Sequence, residues 1–192
     1  MIHVEVSNND AVTDAFKLLQ GIDKGAKKAI SRALNRTSVG ARAEIVKAIH
    51  QTHEIRSRDV REAIKIKKAH WGNLEAQVHS LGAVNPLEQF NHSPKGYQLP
   101  RPKVGVRVKV RKGSKGGVIP RTFFRANNPH IFRRITDDSK SDLEKLFGPA
   151  IPSMMRVVLD EDAEQGIQDR AETRFNRELN HEIDFMLSKG AK

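Results

Sequence analysis

The chain has 192 residues and a net charge of +11, with 34 Lys/Arg against 23 Asp/Glu and no cysteine. This length suits one compact domain, and the lack of cysteine excludes a disulfide framework and a thiolate metal site. No apolar run approaches the roughly 20 residues of a membrane-spanning helix, and the N-terminus lacks signal-peptide features, so a soluble protein made inside the cell is expected.

The charge is unevenly divided along the chain. Residues 1–136 carry 26 Lys/Arg and 10 Asp/Glu, whereas residues 137–192 carry 8 and 13. A basic body with an acidic C-terminal segment can bind a polyanion, or its positive surface can bind the negative surface of an identical neighbour. Composition therefore leaves both an assembly protein and a nucleic-acid-binding protein open.

The predicted elements begin with a short strand, because residues 2–6 alternate between polar and apolar side chains. Polar residues 7–10 then offer helix N-caps. The apolar residues that follow recur at helical spacing and are Val12, Phe16 and Leu19. A long alanine-rich helix is predicted over residues 22–52, and a short third helix over residues 57–64.

The hydrophobic period changes from 3.6 to 2 after the third helix, which predicts strands. Residues 64–68 and 74–79 alternate, and residues 104–110 form the clearest strand. Its four valines share one face, are expected to be buried, and are Val104, Val106, Val108 and Val110. Turn residues 111–117 and a return strand from residue 118 complete a hairpin.

Two further features concern the middle of the chain. Apolar pairs at residues 123–124 and 131–132 predict continued strand pairing. Residues 82–103 contain four prolines and predict a long loop with at most one helical turn.

A stiff corner precedes the last predicted element. Pro149 disfavours helix at Gly148, and Pro152 suits the first turn of a helix. The corner should therefore fix the direction of a C-terminal helix, which is predicted over residues 152–187 with a bend at Gly166.

The order of helices, then strands, then a helix predicts an α+β fold. Its antiparallel sheet would be packed by the N-terminal helices and by the long C-terminal helix. Residues 1–192 are expected to form this single domain.

The hairpin carries the candidate interface. Its basic residues lie opposite the valines or at the tip, and they are Arg107, Lys109, Arg111, Lys112 and Lys115. Closely spaced positive charges repel one another unless solvent or an anionic partner screens them. The tip could thus face an acidic protein, DNA or only solvent. The single Trp and Tyr, Trp71 and Tyr97, fall outside the basic clusters, so base stacking is not expected.

No catalytic or cofactor site is predicted. His50 and His53 have a spacing that suits a metal on a helix, but no carboxylate or cysteine accompanies them. The glycine-rich residues 113–117 lack both the Lys-Ser/Thr ending and the following helix of a phosphate loop. Since no nucleophile has an evident base, we expect no enzymatic activity, no metal and no cofactor.

One family fits the assembled pattern. The alanine-rich segment 27–36 leads to the basic turn 56–60 and the strand 64–67, and segments 131–134 and 146–155 follow a variable middle. In this order the segments resemble the minor tail protein Z family of tailed bacteriophages, the tail-completion proteins. The Phe-Gly-Pro-Ala-Ile-Pro corner carries most of the resemblance.

The resemblance covers most of residues 22–187, whereas residues 1–21 would be specific to a subgroup. It implies a structural virion protein that completes the tail at its head-proximal end, in the neck, after assembly in the host cytoplasm. Implied partners are the tail terminator, tail tube or connector, together with identical subunits in a ring, a hexamer by the tail's six-fold symmetry. Contact with DNA in the tail lumen stays open, no membrane partner is expected, and a basic protein that packages DNA non-specifically is the alternative.

Overall fold

The computed structural model describes residues 2–4, 10–22, 24–80, 82, 84–99, 104–136, 138 and 140–190. In chain order its elements are β1 (Ile2–Val4), α1 (Asp10–Leu18), α2 (Gly25–Thr52), α3 (Ser57–Ala63), β2 (Ile64–Lys67), β3 (Ala76–Ser80), a 3₁₀ turn (Leu87–Gln89), β4 (Asn91–Ser93), β5 (Val106–Lys109), β6 (Gly117–Ile119), β7 (Thr122–Arg125), β8 (Asn128–Arg134), β9 (Leu143–Lys145), α4 (Ile151–Val158) and α5 (Glu161–Gly190). No helix of the described part is both long and apolar enough to span a bilayer.

These elements divide between two compact units. Unit 1 comprises Met1–Ile45, Ile64–Ser80 and Leu159–Lys192, and unit 2 comprises Val46–Ala63 and Leu81–Val158. The assignment of residues 1–192 to a single domain stays a prediction.

Unit 1 packs helices against a three-stranded antiparallel sheet with the order β1-β3-β2. Alanines on α2 allow close packing, because a methyl side chain keeps neighbouring backbones near each other. The buried core combines residues from α1, α2 and α5 with two alanines from the sheet region: Ala15, Leu19, Ala26, Ala29, Ile30, Ala33, Leu34, Ala69, Ala76, Phe175, Leu179 and Ile183. The predicted long helix over residues 22–52 is confirmed as α2.

Unit 2 contains two further antiparallel sheets, with the orders β4-β5-β6 and β7-β8-β9. The side chain of Thr122 links them, because its Oγ1 accepts a hydrogen bond from the Val106 amide at 2.8 Å and donates to the Ile119 carbonyl at 2.6 Å. Gly105 adjoins this junction with φ +103°, and a Cβ there would lie 2.1 Å from the Ile119 oxygen. Only glycine fits that position.

The predicted α+β class, with antiparallel strands and a long C-terminal helix, is confirmed. The strands form three small sheets, and two of the strands, β4 and β9, lie where the sequence predicted none. Each has only three residues, which is too short to show an alternating pattern.

Several predicted buried residues are exposed. Val104 is 73% exposed because the left-handed Gly105 ends the strand register, so β5 begins at Val106. Val106 and Val108 are buried as expected, whereas Val110 is half-buried. Phe16, one of the apolar residues at helical spacing on α1, is also exposed.

The predicted C-terminal helix is divided into α4 and α5, with the break at residues 159–160 and not at Gly166. Asp160 explains this position, because its carboxylate accepts a hydrogen bond from the Ala163 amide at 2.9 Å and so caps a new helix. Residues 5–9, which include most of the predicted caps for α1, lie outside the described residues.

Candidate functional site

Folding redistributes the charge that the sequence divides at residue 136. The segments of unit 1 contain 15 Lys/Arg and 15 Asp/Glu, whereas those of unit 2 contain 19 and 8. The acidic α5 belongs to the same unit as the basic first part of α2, so their charges cancel. The whole net charge of +11 therefore belongs to unit 2.

Part of the cancellation is a set of direct ion pairs between α2 and α5. Glu182 is 2% exposed and accepts from Arg32 at 3.2 Å and from Arg36 at 2.8 Å. Arg36 also contacts Glu178 at 3.2 Å. Hydrogen bonds from the neighbouring Arg177 and then from Arg36 lower the pKa of Glu178. These two carboxylates of the C-terminal helix are thus paired within the protomer.

All five predicted interface residues lie on or beside the β5–β6 hairpin of unit 2. Arg107, Arg111, Lys112 and Lys115 are exposed. Lys109 differs, because its ammonium group forms a 2.9 Å ion pair with Glu54 and lowers the pKa of that carboxyl. Lys109 is therefore a structural contact, and the other four residues carry the exposed charge.

The β5 side of the hairpin loop is fixed to the C-terminal end of α2 and the residues that follow it. The Glu54 amide donates to the Val110 carbonyl at 2.8 Å, and the Lys112 amide donates to the Thr52 carbonyl at 2.9 Å. Beyond these bonds only a short tip projects. An open depression of about 520 Å³ borders it, lined by Val108, Val110, Arg111, Ser114, Lys115, Gly116 and Gly117. The exposed charges thus sit on a positioned support.

The two candidate histidines serve local packing. His53 is buried, contacts the Thr52 hydroxyl at 2.7 Å, and has its pKa lowered by that burial. His50 forms a hydrogen bond with the Ile55 carbonyl at 3.0 Å. Among the described residues, no group of three or more His, Cys, Asp or Glu is placed to hold a metal ion.

The corner residues are held by a buried asparagine that the sequence did not indicate. The backbone carbonyl of Asn85 accepts a hydrogen bond from the Gly148 amide at 2.7 Å. The side-chain amide of Asn85 donates to the Pro149 carbonyl, also at 2.7 Å. A Cβ on Gly148 would lie 2.5 Å from the Phe90 ring, so the corner is closely packed. Pro152 is the second residue of α4, in its first turn as predicted.

Trp71, which lies outside the basic clusters of the sequence, contacts one lysine from a distant segment. Its ring is at the turn between β2 and β3, and the Lys24 ammonium lies 4.7 Å from the ring centroid. The two residues are distant in the sequence, so no local pattern could pair them.

The family model for prophage minor tail protein Z (GPZ) matches residues 11–190. The chain belongs to this family. It is therefore a structural protein of the phage tail. The matched range includes most of α1, for which the sequence analysis found no counterpart. No match was found among curated proteins or among solved structures.

Proposed function

We propose that this minor tail protein completes the tail at its head-proximal end and joins head to tail as a subunit of a ring, without enzymatic activity. The observation that carries the proposal is the basic hairpin of unit 2, whose loop is fixed on its β5 side and whose basic side chains are exposed. A rigid charged projection suits a docking element, because little conformational freedom is lost on binding. The family's tail role supports this location.

The ring would match the six-fold symmetry of the tail, and its neighbours would be the tail terminator, tube or connector. Contacts between non-identical surfaces of identical subunits close into a ring when the rotation per subunit permits. Opposite charges on the two surfaces would guide these contacts and select partners. Salt would screen this attraction over about 8–10 Å at physiological ionic strength. Assembly would take place in the host cytoplasm.

Charge reversal at the tip tests the docking role. We expect Lys112→Glu with Lys115→Glu to leave expression and folding unchanged and to lower infectivity by about 100-fold, since opposite charges at a docking contact become like charges. The matched control reverses two exposed basic residues on helices of unit 2, Arg61 and Arg156. Wild-type infectivity of the tip variant would show that the tip is only a solvated turn.

Imaging tests the location independently. A label on the C-terminus should appear in negative-stain images at the junction of head and tail. Label at the distal tip, or its absence from virions, would contradict tail completion at the head-proximal end.

A second candidate function is non-specific contact with DNA in the tail lumen. Its support is the concentration of the whole net charge in unit 2, because the acidic residues of α5 belong to unit 1 and do not reduce it. Duplex DNA binding should then weaken with salt by counterion release, and the tip variant should lower the logarithmic salt slope by about 2. Equal binding by wild type and variant would exclude the hairpin as the DNA contact.

A further inference from the structure

The turn at residues 70–73 presents an exposed tryptophan on a rigid support. Trp71 is 56% exposed. Around it, the backbones of His70 and Asn73 exchange two hydrogen bonds of 2.9 Å, and the Gly72 amide donates to His70 Nδ1 at 3.1 Å. The ring is therefore held out toward solvent by an ordered turn.

Asn35 fastens this turn to α2. Its side chain donates to the Ala69 carbonyl and accepts from the Ala69 amide, both at 2.9 Å. Ala69 itself belongs to the buried core of unit 1. A partner that covers Trp71 would thus lose little entropy in ordering it.

Lys24 approaches the ring from a strained backbone. Its φ is +54°, a left-handed conformation that costs a non-glycine residue free energy. The side chain placed there forms a cation–π contact with Trp71. Glycine would adopt this backbone at lower cost but would lack the contact with Trp71.

The surroundings of the turn are basic, and the first half of α5 is acidic. Exposed Lys67 and Lys68 lead into the turn. Helices α2 and α5 are antiparallel, because Arg32 pairs with Glu182 and Glu44 pairs with Arg170. Since a helix rises about 1.5 Å per residue, the part of α5 around Arg170 lies about 30 Å from the Lys24 end of α2. Three exposed carboxylates of that acidic half are Asp162, Asp169 and Glu172.

We propose that the Trp71 turn, with Lys67 and Lys68, docks onto the acidic first half of α5 in a second copy of this chain. Unit 1 carries both a basic surface and an acidic surface, so the same contact can repeat from copy to copy. Tryptophan beside cationic groups has the composition of an interface hot spot. A second copy fits better than DNA, because unit 1 carries equal numbers of positive and negative side chains and so has no net attraction for a polyanion. The contact rests on the proposed ring and identifies its subunit interface.

Charge exchange between two variants of the full chain gives the test. One variant carries Lys67→Glu and Lys68→Glu, and the other carries Asp169→Lys and Glu172→Lys. We expect each variant alone to self-associate at least 10-fold more weakly than wild type in light scattering at low salt, and an equimolar mixture to regain wild-type association. The proposal is overturned if the mixed variants are folded but do not associate. It is also overturned if wild type stays monomeric at all protein and salt concentrations.

The tryptophan and the strained lysine have separate readouts. We expect Trp71→Ala to weaken self-association by about 30-fold, as a hot spot does, whereas Tyr97→Ala, an exposed aromatic of unit 2, should not. Lys24→Gly should keep or raise the melting temperature of the monomer and still weaken association. Weaker DNA binding by Trp71→Ala without weaker self-association would assign the turn to nucleic acid and overturn the proposal.

A crosslink locates the contact in tails. Because the chain has no cysteine, Lys68→Cys with Glu172→Cys provides the only two thiols, one beside the Trp71 turn and one on the acidic part of α5. An intermolecular disulfide in assembled tails supports the docking, and its absence in tails that still assemble contradicts it. Failure of the ring itself would appear separately, as the absence of the C-terminal label from the neck.

Discussion

The side chain of Arg174 on α5 lies directly over Gly40 of α2. A Cβ at position 40 would be 1.6 Å from Arg174 Nη1 and 2.9 Å from its Cδ. The contact lies within an antiparallel series, between the Arg36–Glu178 pair and the Glu44–Arg170 pair. Gly40 therefore provides the space in which the Arg174 side chain crosses α2.

The first prediction is that Gly40 and Arg174 are energetically coupled. In an Arg174→Ala background, Gly40→Ala should stabilise unit 1 by about 0.5–1 kcal/mol, because alanine favours helix. In the wild-type background the same change must displace the arginine, so the gain should shrink or become a loss. A double-mutant cycle by urea denaturation measures this, and strictly additive effects would contradict it.

The second prediction concerns the buried carboxylate between α2 and α5. Glu182→Ala should lower the free energy of unfolding by about 2–3 kcal/mol, since it removes two ion pairs of a buried carboxylate and leaves Arg36 with Glu178 alone. Glu172→Ala, an exposed acid on the same helix, should change it by less than about 0.5 kcal/mol. Equal losses from the two variants would show that the buried pairs contribute little.

The comparison of sequence and structure separates local from long-range information. Local patterns were sufficient for α2, for the β5–β6 hairpin and for the start of α4 beside Pro152, because each depends on neighbouring residues. Pairs such as Arg174 with Gly40, or Lys24 with Trp71, depend on how distant segments pack and leave no local signature. The basic hairpin was therefore predictable as a candidate site, and the Trp71 turn was not.

The third prediction concerns the corner. Asn85→Ala should destabilise unit 2 by about 1–3 kcal/mol, because the Pro149 carbonyl loses its side-chain donor in a partly buried site. Gln98→Ala, an exposed amide of the same unit, should have little effect. The measurement is the urea midpoint at constant m-value. If the asparagine variant matches its control, water replaces the donor and the corner does not depend on Asn85.

The last prediction is a pH dependence from His53. Burial lowers the pKa of His53 in the folded protein, whereas the unfolded chain has the ordinary value near 6.5. Between those two values the unfolded state binds more protons, and stability therefore rises with pH. The contribution is complete above about pH 6.5 and is lost as pH falls through the folded-state pKa. Protonation would also place a positive charge beside Arg111, which acts in the same direction.

Urea denaturation between pH 8 and pH 5 should show wild type losing stability more steeply than His53→Gln below about pH 6.5. Parallel curves for the two proteins would show that burial of His53 does not couple protonation to folding.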